Sequence, residues 1–79
     1  MSYKVLNSII DEKKIKTVFQ PIVSLRDGSI IGYEALSRIT DNDMSLNIED
    51  LFCFSEVYNR LWDLEFLCRT TALETAFLN

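Results

Sequence analysis

The chain has 79 residues, of which 48% are hydrophobic and 11% aromatic, which is enough for one small core and too little for a closed (β/α)8 barrel of about 250 residues. A net charge of −4 with eight basic residues argues against duplex nucleic acid as a partner, and the lack of histidine excludes histidine-based triads and metal clusters. Two cysteines without CxxC spacing favour a reduced, cytoplasmic compartment, and no apolar run is long enough to cross a membrane.

The first predicted element is a short helix within a leading segment, residues 1–16. Ser2 is suited to cap this helix, and the charged run Asp11-Glu12-Lys13-Lys14 follows it as a solvated loop. Apolar residues recur between them at helical spacing: Tyr3, Val5, Leu6, Ile9 and Ile10. A stripe of this kind is typical of a packing face, so we expect the helix to lie across the open side of the element that follows.

Residues 17–38 predict a β-hairpin. β-Branched and aromatic residues dominate both halves: Val18, Phe19, Ile22 and Val23 before the turn, and Ile30, Ile31 and Tyr33 after it. The turn is predicted at Asp27-Gly28, because glycine adopts positive φ without a Cβ clash and aspartate bonds the local backbone.

The second strand of this hairpin carries a carboxylate among apolar residues. Alternation places one set of side chains on a common face: Ile30, Gly32, Glu34, Leu36 and Arg38. A buried ionised carboxylate needs a partner, and the spacing favours a structural pair between Glu34 and Arg38 at the mouth of the sheet. The alternative is that Arg38 holds an anion such as phosphate through its planar fork of donors.

Residues 39–47 predict a polar loop, and residues 48–79 predict two helices. Asp41-Asn42-Asp43 has the spacing that begins a calcium loop, but the sixth-position glycine and twelfth-position glutamate are missing, which favours an ordinary polar loop. Asn47 is suited to cap a helix that runs to about Tyr58, with carboxylates in its first turn.

A last helix is predicted from about Arg60 to Phe77, and it has two apolar faces. One face comprises Leu61, Leu64, Cys68 and Ala72, and the other comprises Trp62, Phe66, Leu73 and Phe77. Glu65 and Arg69 fall between the faces at the spacing of a surface ion pair. Two apolar faces and an uncovered hairpin edge predict self-association as a symmetric dimer, through either the hairpin edge or this helix.

The hairpin sequence FQPIVSLRDGSIIGYEALSR closely resembles the opening of an EAL domain, the family that hydrolyses cyclic di-GMP to pGpG. Several elements agree in order: an aromatic-Gln-Pro-Ile run from Phe19 to Ile22, a glycine turn, the run Gly32-Tyr33-Glu34-Ala35-Leu36, and Arg38. The later stretch LWDLEFLCRTTALETA also resembles the helix that follows in many members. The resemblance therefore covers nearly the whole chain from Val18 onward.

The predicted elements form an α+β segment of order α-β-β-α-α, and the resemblance implies that it is the front part of an EAL-type modified (β/α)8 TIM barrel, incomplete in this chain. It also implies that Glu34 binds the catalytic Mg²⁺ or Mn²⁺ and that Arg38 contacts a phosphate of cyclic di-GMP. Gln20 and Leu36 would line the substrate site. Further ligands would come from later strands, so we expect the isolated chain neither to bind the metal nor to hydrolyse the substrate. A degenerate or truncated EAL module that binds nucleotide or protein without catalysis is the alternative.

Overall fold

A computed structural model describes residues 1–40 and 46–78. Its elements are α1 (Tyr3–Asp11), β1 (Ile15–Val23), β2 (Ile30–Ile39), α2 (Ile48–Val57) and α3 (Leu61–Leu78). This order confirms the predicted small α+β segment. The hairpin is longer than predicted, beginning at Ile15 and ending at Ile39 rather than spanning 17–38. The Asp41-Asn42-Asp43 run lies outside the described residues.

Both predicted helix caps are confirmed. The Ser2 side chain accepts a hydrogen bond from the Val5 N–H at 3.2 Å, which satisfies one of the free backbone donors at the start of α1. The Asn47 side chain accepts a hydrogen bond from the Asp50 N–H at 2.7 Å and caps the start of α2 in the same way. Each cap residue has an extended backbone, so the chain enters each helix from a non-helical segment.

The hairpin turn has the predicted chemistry. Gly28 has a φ of 75°, a left-handed conformation that a Cβ would strain. The Asp27 carboxylate accepts hydrogen bonds from the Ser29 N–H at 3.0 Å and from the Ser29 hydroxyl at 2.7 Å. These bonds hold the pKa of Asp27 below its usual range, and the bond from the Ser29 backbone N–H has the larger effect.

The hydrophobic core lies among the three helices and the first residue of β1. Its buried members are Leu6, Ile9, Ile10, Ile15, Leu51, Leu64 and Leu67. α1 packs against α2 and α3, whereas α3 makes the most extensive contact with β1. The expectation that α1 lies across the hairpin is therefore wrong. α3 takes that position because its 18 residues run farther along a strand than the nine of α1.

One residue joins the beginning of α3 to α1. The Arg60 guanidinium donates to Asn7 Oδ1 at 2.6 Å, Asp11 Oδ1 at 3.1 Å and Asp63 Oδ2 at 3.0 Å. The bond to Asp11, followed by the one to Asp63, raises the pKa of Arg60. Asn59, just before it, has a φ of 59°, so the turn between α2 and α3 includes a left-handed residue.

One apolar face of α3 is covered and the other is open. Leu64 and Leu67 are buried, whereas Trp62 is 75% exposed and Phe77 is 82% exposed. No helix of the described residues is long and apolar enough to span a bilayer.

The predicted ion pair on α3 is absent. Among the described residues, ion pairs join Glu12 to Lys14 and Arg60 to two aspartates, and none joins Glu65 to Arg69. A solvated pair at this spacing contributes only a few tenths of a kcal/mol, which is too little to fix two long side chains.

Candidate functional site

The hairpin register brings the predicted site residues onto one face. Gln20 pairs with Glu34, Val18 with Leu36, and Lys16 with Arg38. Directly paired residues on antiparallel strands project to the same side of the sheet. We call this side the Glu34 face, and it comprises Lys16, Val18, Gln20, Ile22, Gly32, Glu34, Leu36 and Arg38. The four predicted site residues therefore share one face: Glu34, Leu36 and Arg38 follow one another along β2, and Gln20 on β1 lies directly opposite Glu34.

The opposite face of the hairpin packs against the helices. Ile15 is only 6% exposed and belongs to the core. Cys68 of α3 lies near Ser37 of β2, and burial raises the pKa of its thiol while the Ser37 hydroxyl opposes the rise. Thr17 Oγ1 is buried there and has no hydrogen-bond partner among the described residues. α3 therefore covers this side of the sheet and leaves the Glu34 face open.

Glu34 and Arg38 are both exposed and do not form the structural pair that the spacing favoured. Arg38 Nη1 donates to the Ser37 carbonyl at 2.9 Å, and no ion pair of the described residues includes Glu34. Four residues along a strand separate the two Cα atoms by about 13 Å, which keeps the charged groups apart. The prediction of a Glu34–Arg38 pair within one strand is wrong, and both groups remain accessible to a ligand.

The Glu34 face supplies part of a metal site. Glu34 is the one carboxylate among its residues, and the Gln20 amide beside it offers a second oxygen donor. Mg²⁺ takes six oxygen ligands, and no group of three or more acidic or cysteine side chains within residues 1–40 and 46–78 is arranged to hold a metal ion. The described residues therefore do not form a complete metal centre by themselves.

The half of the hairpin nearest the turn projects from the helices. Its apolar side chains are exposed on both faces, among them Ile22, Val23, Leu25, Ile30, Ile31 and Tyr33. The molecule is elongated and measures 47 × 25 × 23 Å. A two-stranded sheet with so much exposed apolar surface is marginal in water without a further partner.

A cleft of about 560 Å³ lies at the other side of the molecule, between the end of α1 and α3. Trp62 and Phe66 line it, together with Arg60. The Arg60 donors are already directed to Asn7 and two aspartates, so this cation serves to hold the helices together. None of the predicted site residues lines the cleft. The cleft could not be predicted from sequence patterns, since its walls come from segments that are distant in the chain.

Comparison of the chain with protein-family models, curated proteins and solved structures finds no match in any of the three. The function of the chain is therefore inferred from the residues of the Glu34 face and from their arrangement.

Proposed function

We propose that the chain is the N-terminal part of an EAL-type phosphodiesterase domain, which hydrolyses cyclic di-GMP to pGpG in bacterial second-messenger signalling. The observation that supports the proposal is the joint position of Gln20, Glu34, Leu36 and Arg38 on the one face of the hairpin that the helices leave open. In a (β/α)8 barrel the helices pack outside the sheet, and the catalytic residues come from the C-terminal ends of the strands. The packing of α3 on one face of the hairpin agrees with this layering, although β1 and β2 are antiparallel and the strands of a regular (β/α)8 barrel are parallel.

Each residue of the set has chemistry suited to a cyclic dinucleotide. The Glu34 carboxylate is a hard oxygen ligand of the kind that Mg²⁺ or Mn²⁺ binds, and the metal would supply activated water. The Arg38 guanidinium is planar and presents parallel donors that match a phosphodiester. Gln20 lies opposite Glu34 and offers both a donor and an acceptor, while Leu36 supplies apolar contact beside them.

The isolated chain is expected to be inactive. One carboxylate and one arginine do not provide the several oxygen ligands that a divalent ion needs. Purified chain incubated with cyclic di-GMP and Mg²⁺ or Mn²⁺ should release no pGpG. Metal-dependent release that disappears in Glu34→Gln would contradict this expectation.

A chimera tests the proposal itself. Residues 1–79 replace the corresponding first segment of an active EAL phosphodiesterase, and folding is verified by a cooperative thermal melt. We expect metal-dependent hydrolysis that Glu34→Gln abolishes, because the carboxylate ligand is lost. Arg38→Ala should raise KM through loss of a charge-assisted phosphate contact.

Matched variants separate these roles from general effects of charge. Glu56→Gln on α2 and Arg26→Ala in the turn change the same residue types at exposed positions away from the Glu34 face. Both should retain full rates. A folded chimera in which Glu34→Gln and Arg38→Ala also retain full rates would refute the proposed roles.

A module that binds nucleotide or protein without catalysis is the second candidate. The exposed apolar residues in the half of the hairpin nearest the turn favour it, because an exposed apolar surface is typical of a site that binds a partner. Calorimetry on the same chimera distinguishes the two. Cyclic di-GMP binding without hydrolysis under metal saturation would support the second candidate over the first.

A further inference from the structure

The backbone of the hairpin has two outer edges, and hydrogen bonds identify which groups face outward. The Thr40 N–H donates to the Lys14 carbonyl at 2.9 Å, one position before the Ile15–Ile39 pair. Hydrogen-bonded and non-hydrogen-bonded pairs alternate along an antiparallel ladder. The backbone N–H and C=O groups of even-numbered residues therefore form the hydrogen bonds between β1 and β2. The corresponding groups of odd-numbered residues point outward, away from the other strand. This pattern holds up to the register irregularity after Ile22.

Only the β2 edge is suited to accept another strand. Pro21 is an odd-numbered residue of β1, so its nitrogen faces outward without a hydrogen and interrupts that edge. β2 has no proline, and its outward-facing residues run from Tyr33 through Ala35 to Ser37 and Ile39. Within the described parts of the chain, β2 pairs with β1 alone.

We propose that β2 of a second copy of this chain pairs antiparallel with this edge, about a two-fold axis at Leu36. The product is a four-stranded sheet in which Leu36 faces the partner's Leu36 and Glu34 faces the partner's Arg38. A two-fold axis repeats each contact, so Arg38 in turn faces the partner's Glu34. The inference concerns the 79-residue chain by itself and does not depend on the proposed function, because in a closed barrel the same edge would pair with a neighbouring strand.

Charge complementarity selects this register. An axis at Ala35 would place Glu34 opposite the partner's Leu36, and an axis at Glu34 would place two carboxylates together. With the axis at Leu36, both ion pairs occupy non-hydrogen-bonded positions, where cross-strand Cα atoms are about 4.5 Å apart and side chains are closest. Neither charged group has an ion-pair partner within the described monomer, so both are accessible to the second copy.

Sedimentation of the isolated chain at micromolar concentration tests the association, and charge reversal tests its register. We expect a monomer–dimer equilibrium that either Glu34→Arg or Arg38→Glu weakens about tenfold or more, because each variant creates two like-charge contacts. The double variant restores opposite charges at both pairs and leaves net charge unchanged, so it should recover the dimer. A chain that stays monomeric, or a double variant no better than the single variants, would overturn the proposal.

Disulfide trapping gives an independent measurement. Leu36→Cys, with Cys53→Ser and Cys68→Ala in the same chain, should form a covalent dimer on mild oxidation, because the paired Cα atoms lie within disulfide reach. Val18→Cys is the matched control, since Val18 pairs with Leu36 on the same face but lies on the far strand. Equal cross-linking of the two variants would refute pairing through β2, and a dimer that neither variant traps would refute it as well. These outcomes are separate from the chimera's hydrolysis, which measures the proposed function.

Discussion

Truncation of Leu64 tests the packing that leaves the Glu34 face open. Leu64 is fully buried in α3, in the same core cluster as Leu6 and Leu51. Leu73 lies on the same helix but is 53% exposed. Leu64→Ala and Leu73→Ala remove the same atoms from the same helix, so the comparison isolates the effect of burial.

The two variants should differ severalfold in their effect on the free energy of unfolding. Truncation of a fully buried leucine to alanine lowers the free energy of unfolding by about 3–5 kcal/mol, because transfer free energy is lost and a cavity is left behind. Truncation of a half-exposed leucine lowers the free energy of unfolding by about 1 kcal/mol or less, and the better helix propensity of alanine offsets part of this loss. A chain of this size has a total stability of roughly 4–12 kcal/mol and tends toward the lower end of that range. Leu64→Ala should therefore remove a large share of the stability.

Urea unfolding followed by far-UV circular dichroism measures both values. All samples must have the same protein concentration, because association would itself shift the midpoint. A large fall in midpoint for Leu64→Ala with a small one for Leu73→Ala is the expected result. Equal losses would show that Leu64 is not packed in the core that α3 forms with α1, α2 and Ile15.

Three further predictions concern the Arg60 bonds and the turn. Arg60→Ala should lower stability by about 1–3 kcal/mol in urea unfolding, because it breaks three charge-assisted bonds, whereas Arg69→Ala on the exposed side should change it by less than about 0.5 kcal/mol. Gly28→Ala should lower the melting temperature through positive-φ strain alone, since nothing lies within 4 Å of the added Cβ. Because folding lowers the pKa of Asp27, its carboxylate stabilises the folded chain at pH values above the unfolded-state pKa, and this stabilisation is lost as the pH falls through the folded-state pKa. Thermal melts across pH should show that Asp27→Asn removes this contribution to the loss of stability in acid.

Local signals in the sequence were sufficient to place the starts of α1 and α2 and the hairpin turn, but not the outer ends of the hairpin, which extend to Ile15 and Ile39. Ser2 and Asn47 cap the helices that follow them because a short polar side chain satisfies nearby backbone donors. Gly28 specifies the hairpin turn for an equally local reason. The grouping of Gln20 with Glu34 follows from strand alternation once the turn sets the register.

Contacts between distant segments could not be predicted in the same way. Arg60 bonds to Asn7 and Asp11, which lie on α1 and are far from it in the sequence. Only its bond to Asp63, three residues later, has a spacing from which the sequence could predict it. The preference of the hairpin for α3 over α1 depends on helix length and packing direction. The exposure of Glu34 depends on which face α3 covers, and strand alternation does not distinguish the two faces.

The role proposed for Glu34 is that of a metal ligand on the face of the hairpin that the helices leave open. Electron paramagnetic resonance of Mn²⁺ bound to the chimera, compared between Glu34→Gln and Glu56→Gln, measures this most directly. This role predicts that Glu34→Gln weakens Mn²⁺ binding at least about tenfold, since loss of a group that only supports a ligand already weakens metal binding by about that much, while Glu56→Gln leaves it unchanged. Equal Mn²⁺ affinity in both variants and the parent chimera would contradict it.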